Sequence, residues 1–485
     1  VEMRAANGGS RGKRFLLFIL VMLSAAQTAG CRQRTQETYA QQGEPENGPV
    51  EQEVPENGPV EQEVANDRGN REPAQEKEQT DAKPEDYGED QGETESIVEL
   101  IKQISRPRVK GIFVTGPTAG IERMQELIEL VDETELNTIV MDIKNDEGRI
   151  VYDMQIPIVQ ELGSGISYVR DMEELIRRCK EKNIYLIARI VAFKDPFLAE
   201  VRPQWCIHNA DGSLFRDKGG LAWLNPYERE VWDYLLAVSG EILRMGFDEV
   251  QFDYVRFSTD SGMEQADLGE EAKEKDRQQI ITEFVKYISE DIHKAGGIVS
   301  ADVYGMVIDS QVDQRIVGQS YVELSKYLDF ISPMIYPSHY GPYNYDIPVP
   351  DAEPYRLALT ALQSSRKVLA GIPLRSVSGN DAGQYSQGEL AELMPMEGIR
   401  AQVRPWLQDF TATWVKGHIP YGAQEVRAQI QAVYDAGYEE WILWNASNHY
   451  TEDALLPAED AKGGGSETAD DEDMEEGQEE KGAGR

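Results

Sequence analysis

Eight short aliphatic runs, each followed by an amphipathic stretch, constrain this chain more than any other feature. The runs are Gly111–Val114, Thr138–Ile143, Tyr185–Val191, Glu249–Val255, Ile298–Val303, Phe330–Met334, Ala401–Pro405 and Glu440–Trp444. Short β-branched and aliphatic runs bounded by turn residues read as buried strands. Between them, apolar residues recur at helical spacing over Ile121–Glu133, Met172–Lys182, Tyr227–Met245, Gln278–Ala295, Val322–Leu328, Tyr355–Leu369 and Ala423–Ala436. Asn225-Pro226 signals the start of the third helix, Gly246 its end, and Gly437 the end of the last. Strands that alternate with helices make a parallel sheet. Eight such units favour closure into a (β/α)8 TIM barrel over an open doubly wound sheet. No G-x-G-x-x-G follows the first run, so a dinucleotide-binding fold lacks its phosphate turn. Ser258–Lys275 and Arg375–Arg400 exceed what a barrel needs and are candidate lids.

The flanks have a different chemistry. Arg4, Arg11, Lys13 and Arg14 precede an apolar run, Phe15–Ala26, which is short of the ~20 residues a membrane span requires. A basic start, a short apolar stretch and small residues make an export signal. Thr28-Ala29-Gly30 leads directly into Cys31, similar to a bacterial lipobox, with Thr28 where Leu is usual. The expectation is a signal over 1–31 and a lipid anchor on Cys31, with secretion through an ordinary cleaved signal as the alternative. Residues 32–108 are rich in Glu, Gln, Asn, Pro and Gly and carry a decapeptide, Pro45–Val54, repeated with variation as Pro55–Val64. Such a stretch cannot bury enough apolar surface to offset its ordering entropy, so it reads as a disordered acidic spacer. Residues 458–485 read as a disordered acidic tail, which leaves 109–457 for the barrel.

The net charge of −39 argues against a nucleic-acid partner, since that affinity rests on Lys and Arg. Three cysteines, Cys31, Cys179 and Cys206, make no disulfide framework, and the last two read as buried thiols. His293 and His339 stand apart with no His–Cys spacing, so neither a metal nor another cofactor is expected.

In a parallel barrel the functional side chains sit at the C-terminal strand ends. Asp142 and Lys144 end the second run, Arg189 lies in the third, and Asp253 and Arg256 close the fourth. Asp302 and Tyr304 close the fifth. Tyr336 and His339 follow the sixth, Trp406, Gln408 and Asp409 the seventh, and Trp444 and Asn445 the eighth. By the two-residue period, Asp253 and Asp302 project from adjacent strands into one mouth. A carboxylate between apolar neighbours needs a partner, and Arg256 or Lys144 could supply one to Asp253. Glycoside hydrolysis needs two carboxyls, one ionised and one protonated. Trp223, Tyr254, Tyr304, Tyr336, Tyr340, Trp406 and Trp444 supply flat faces with polar handles, which suit sugar rings. Glu249 is a competing carboxylate deeper on the fourth strand.

The segments Lys110–Thr115, Val140–Lys144, Gln251–Phe257, Ser300–Gly305, Ser332–His339 and Arg404–Phe410 resemble a family of bacterial TIM-barrel, glycosyl hydrolase-like domains, once a domain of unknown function. The likeness runs from about Lys110 to Pro457. It implies a TIM barrel, export and a carbohydrate-related role. By analogy with barrel glycosidases, it makes Asp253 at the end of the fourth strand the nucleophile or base. Asp302, on the adjacent strand, would be the acid, an assignment that rests on its position and not on the resemblance. The expected function is an extracytoplasmic glycoside hydrolase acting on a polysaccharide or oligosaccharide. Asp142, Lys144, Arg189, Arg256, Tyr304, Tyr336, His339, Trp406, Gln408, Asp409, Trp444 and Asn445 would bind substrate. The alternative is a carbohydrate-binding envelope lipoprotein on the same barrel without turnover. A third reading is a hydrolase or lyase on another substrate, such as a polysaccharide deacetylase, which a metal requirement would favour.

Overall fold

The computed structural model describes residues 106–372 and 386–459. The export signal, Cys31, the spacer up to residue 105, residues 373–385 of the second insertion and the tail from residue 460 lie outside the described residues.

Eight strands close on themselves: β1 (Lys110–Val114), β2 (Thr138–Lys144), β3 (Tyr185–Val191), β4 (Glu249–Asp253), β5 (Ile298–Tyr304), β6 (Phe330–Ile335), β7 (Trp406–Gln408) and β8 (Trp441–Trp444). Each pairs in parallel with the next, and β8 pairs with β1. Helices return the chain between strands: α1 (Arg123–Glu133), α2 (Met172–Glu181), α3 (Arg229–Met245), α4 (Arg277–Lys294), α5 (Gln311–Val317), α6 (Pro354–Leu369) and α7 (Ala423–Asp435). The architecture is the (β/α)8 barrel expected from the alternation.

Several boundaries move, each for a local reason. β4 stops at Asp253 rather than Val255 because Tyr254 turns left-handed at φ +52°. The seventh run continues past Pro405. Gln402 and Val403 pair with Phe330 and Ile331, Arg404-Pro405 interrupts, and Trp406 and Leu407 resume the same register against Met334 and Ile335. A proline has no N–H for a ladder, yet its carbonyl still accepts from Ile442 N at 3.0 Å. Asn225 does not cap α3. Its side chain accepts from Tyr227 N at 3.2 Å, and the helix starts at Arg229. Gly246 ends α3 at φ +113°, a conformation that suits glycine. The expected helix Val322–Leu328 shrinks to one turn, Tyr321–Leu324, and α5 precedes it.

Two apolar cores result. The larger fills the layer between strands and helices and takes Ile112, Ile139, Met141, Leu186 and Val250 from the outward strand faces. The smaller fills the barrel interior with Val109, Phe113, Val140, Tyr185, Ile187, Tyr336, Trp406 and Ile442. Below it, at the N-terminal strand ends, Arg404 donates to Glu249 Oε2 at 3.1 Å and also bonds Oε1. Ser300 Oγ and Tyr185 OH donate to the same carboxylate. Glu249 is therefore a structural anchor at the closed end of the barrel and does not compete for chemistry at its mouth. Cys179 and Cys206 are buried and free, with burial lifting both thiols to about 12. Ser258–Lys275 is tied to its surroundings: Ala266–Asp267 pairs antiparallel with His208–Asn209, and Met263 and Lys275 carbonyls accept from Arg277 and Tyr227. Among the described residues, no helix is long and apolar enough to cross a membrane.

Candidate active site

The inward residues of β2, β3, β4 and β5 end the apolar interior and begin a charged layer. Val140 is followed two residues on by Asp142, Ile187 by Arg189, Gln251 by Asp253 and Ser300 by Asp302. Arg189 occupies the centre. Its Nε and Nη2 donate to Asp253 Oδ2 at 3.0 and 2.6 Å, Nη1 to Asp142 Oδ1 at 2.5 Å, and Nη2 to Asp146 Oδ1 at 2.9 Å. The guanidinium also lies 5.3 Å from the Phe113 ring centre and 5.5 Å from that of Trp444. A planar cation with several donors can hold three carboxylates at once, which an ammonium cannot do in a fixed plane.

Asp253 and Asp302 occupy matching positions on adjacent strands, one step beyond the Phe252–Ala301 pair. Their surroundings differ sharply. Asp253 has Arg189 on Oδ2, while Oδ1 accepts from Tyr254 N at 2.6 Å. Asp302 is 1% exposed. Its Oδ1 accepts from Trp406 Nε1 at 2.6 Å. Burial, and then the charge of Asp253, lift the Asp302 carboxyl well above the usual carboxylate range against that bond. Asp142 is lifted to about 7, chiefly by burial and also by Asp146 and Asp253, with Arg189 opposing. Burial also acts to raise Asp146, but Lys194 and Arg189 outweigh it and hold that carboxyl well below the usual range.

Tyr254 follows Asp253 directly, and its left-handed backbone is a local strain of the kind that gathers at functional sites. Its hydroxyl accepts from Lys194 Nζ at 3.2 Å and donates to Asp146 Oδ2 at 3.4 Å. On the opposite wall Tyr336 neighbours Trp444, His339 and Phe410, with ring centres 6.4, 5.3 and 6.3 Å away. Phe410 in turn stacks on the exposed Trp414. Among the described residues no group of three or more His, Cys, Asp or Glu side chains is arranged to hold a metal ion.

The structure brings together Asp142, Arg189, Asp253, Asp302, Tyr336, Trp406 and Trp444. Arg256 and Tyr304 join them through Tyr254, and His339 through Tyr336. Trp406 is almost fully buried, so it serves as a hydrogen-bond donor to Asp302 and not as a sugar platform. Four other residues stand elsewhere. A bulge in β2 between Asp142 and Lys144 sets Asp142 opposite Arg189 but Lys144 opposite Ile190. That slip turns Lys144 to the outer face, since neighbouring strand residues point opposite ways. There it pairs with Asp195 at 2.7 Å and donates to Val191 O. Neither Lys144 nor Arg256 is the partner of Asp253; Arg189 is. Gln408 accepts from Ser338 N and donates to Asp351 and Phe410 O. Asp409 accepts twice from Thr451, and Asn445 closes its own turn through Ser447 and donates to Asp409 O. These three fasten loops to one another. Trp223 and Tyr340, expected on the rim, are buried at 3% and 5%.

Sequence reasoning missed Asp146 and Lys194. Both lie just past a strand end, in loops where only the last strand residues were weighed. The available signal was a charged residue within three positions of each C-terminal strand end.

A family model described as "Putative glycosyl hydrolase domain" matches residues 111–379 and 381–450. Among solved structures, a hypothetical protein from Ruminiclostridium thermocellum is 36% identical over 40% of this chain and 97% of its own, with a TM-score of 0.37. The glycoside hydrolase domain of PgaB (BpsB) from Bordetella bronchiseptica is 13% identical over 72% of this chain and 98% of its own, with a TM-score of 0.48. An α-galactosidase from Thermus thermophilus is 13% identical over 76% of this chain and 64% of its own, with a TM-score of 0.39. No curated protein matches. With the family model spanning nearly all of the barrel, this chain belongs to the glycosyl hydrolase domain family of that description.

Proposed function

We propose that the chain cleaves glycosidic bonds of a polysaccharide or oligosaccharide outside the cytoplasm, held at the membrane by a lipid on Cys31. One observation carries the chemistry: two carboxyls sit side by side at the barrel mouth in opposite electrostatic settings. Asp302 is the acid. With Trp406 donating to its Oδ1, the carboxyl proton resides on Oδ2 and passes to the glycosidic oxygen as the bond breaks. Asp253 is the nucleophile or base. Arg189 fixes its Oδ2, leaving Oδ1 with a free lone pair for the sugar or for a water. Positive charge developing on the sugar ring is stabilised by this carboxylate. The half-buried Trp444 offers an aromatic surface to the ring.

The test is release of reducing sugar by the full chain from a panel of cell-wall and plant glycans. Asp253→Asn should lower kcat at least ~1000-fold, as loss of a nucleophile does. Asp302→Asn should abolish cleavage of natural linkages yet spare aryl glycosides whose leaving group needs no proton. Turnover that survives Asp253→Asn would refute the assignment. Glycan binding without turnover in the parent would leave a binding protein on the same barrel.

A further inference from the structure

Beside the carboxylate pair lies a cation that the two-carboxylate mechanism does not use. Arg256 is 4% exposed. Its guanidinium carbon sits 4.4 Å from the Tyr304 ring centre, 4.9 Å from Tyr254 and 5.0 Å from Trp223. Nη1 donates to Phe257 O at 2.9 Å. Among the described residues it forms no ion pair; Asp253 is held by Arg189, and Asp146 by Arg189 and Lys194, while Asp260 accepts from Lys218 N on Oδ2 and has the half-exposed Lys218 ammonium 3.6 Å from Oδ1. Aromatic faces attract a cation, but they do not replace the full hydration that burial removes. A buried guanidinium without a carboxylate is expensive, and the arrangement makes sense if its counter-ion arrives with the ligand.

A second cation stands beside the first. Lys194 Nζ lies 4.5 Å from the same Tyr254 ring, is 8% exposed, and reaches Asp146 only at 3.4 Å. Both cations lie against the Tyr254 ring, whose residue has a left-handed backbone and directly follows Asp253. Tyr304, partly exposed at the C-terminal end of β5, forms the edge of the cage toward the mouth.

We infer that Arg256, with Lys194, receives an anionic substituent of the substrate, so that the glycan cleaved is an acidic one carrying carboxylate or sulfate groups. This inference names the substrate class for the glycosidase reading and rests on it. The guanidinium can give an incoming carboxylate or sulfate two parallel N–H bonds, which an ammonium cannot. Repulsion from the acidic flanks of the chain is screened beyond about 8–10 Å at physiological salt, so short-range contacts in the cage decide.

The experiment measures binding by calorimetry with the full chain carrying Asp253→Asn, so that no ligand is consumed. The probes are oligogalacturonate, oligoglucuronate and oligomannuronate, each paired with its methyl ester, together with sulfated and desulfated galactans. At least one acidic probe should bind roughly tenfold or more tightly than its uncharged pair, the value of one charge-assisted contact. Adding Arg256→Met should bring the two affinities together. Arg256→Lys, which keeps the charge in the cage, should retain part of the difference. Lys194→Met, which removes the second cation from the Tyr254 ring, should narrow it as well. Equal or better binding of the uncharged partners overturns the inference, and so does an acidic preference that survives both Arg256 variants and Lys194→Met. Binding of none of the probes overturns it too. Turnover of neutral glycans alone would leave the glycosidase reading standing without it. Arg256-dependent acidic binding with no turnover by the parent would keep the cage and remove the glycosidase reading.

Discussion

At the residue scale, opposite behaviour comes from similar side chains through what touches them. Asp253 and Asp302 stand at matching levels of adjacent strands and share a face and a chemistry, yet Arg189 reaches one and Trp406 the other. The two-residue period made both carboxyls legible in the sequence. The identity of their partners was not, because Arg189 lies 64 positions from Asp253 along the chain and the contact depends on barrel closure. His339 allows a separate test. Burial holds its imidazole down at about 4, against an ordinary value of about 6.5. The unfolded chain therefore binds an extra proton between these values. The stability this neutral side chain contributes is complete above pH 6.5 and lost as pH falls toward 4. The swing is about 3 kcal/mol at most, less what solvent screens at a partly exposed ring. His339→Gln should flatten the fall of Tm between pH 6.5 and 4.5. Parallel Tm profiles for parent and variant would contradict it.

At the element scale, β2 shows how one inserted residue reassigns a side chain. Asp142 and Lys144 are two apart and look like neighbours on one face, so the sequence pattern placed both in the mouth. The bulge breaks that period and sends Lys144 outward into a fully buried pair with Asp195. Bulges leave no dependable mark in a run such as Thr138–Lys144, where every residue is buried on one side or the other. The pair joins the loop after β2, which carries Asp146, to the loop after β3, which carries Lys194. Lys144→Met should cost about 3–5 kcal/mol by stranding the Asp195 carboxylate, while Lys144→Met with Asp195→Leu should recover much of it. Urea midpoints would decide, and equal losses in the single and double variants would show that the charge pairing is not the cause. Pro405 misled in the other direction: it looked like the end of a strand, but after the interruption at Arg404-Pro405 the same register resumes at Trp406 and Leu407.

At the scale of the whole molecule, the barrel holds ionised groups at both ends of its axis. Glu249 and Arg404 close the N-terminal end, and Arg189 with its carboxylates fills the C-terminal end. The alternation of strand and helix was enough to anticipate the closed barrel and which end would hold the polar cluster. It could not tell a stabilising carboxylate from a reactive one, since Glu249 and Asp253 differ only in depth along β4. Arg404→Met should destabilise the fold by about 3–5 kcal/mol and, by removing a charge that opposes the rise of Asp302, move the alkaline limb of any pH–rate profile upward. An unmoved limb would show that the two ends do not communicate. Between them lies the layer of Phe113, Val140, Ile187, Trp406 and Ile442. That layer is threaded by polar groups: Tyr185 donates to Glu249 below it, and Gln251 donates to Ser332 at 3.1 Å within it. The charge of Arg404 is felt through it at Asp302, whose carboxyl it pulls down against burial. The closed floor of the barrel thus helps set how readily the mouth gives up its proton, so a change made for stability at one end would retune chemistry at the other.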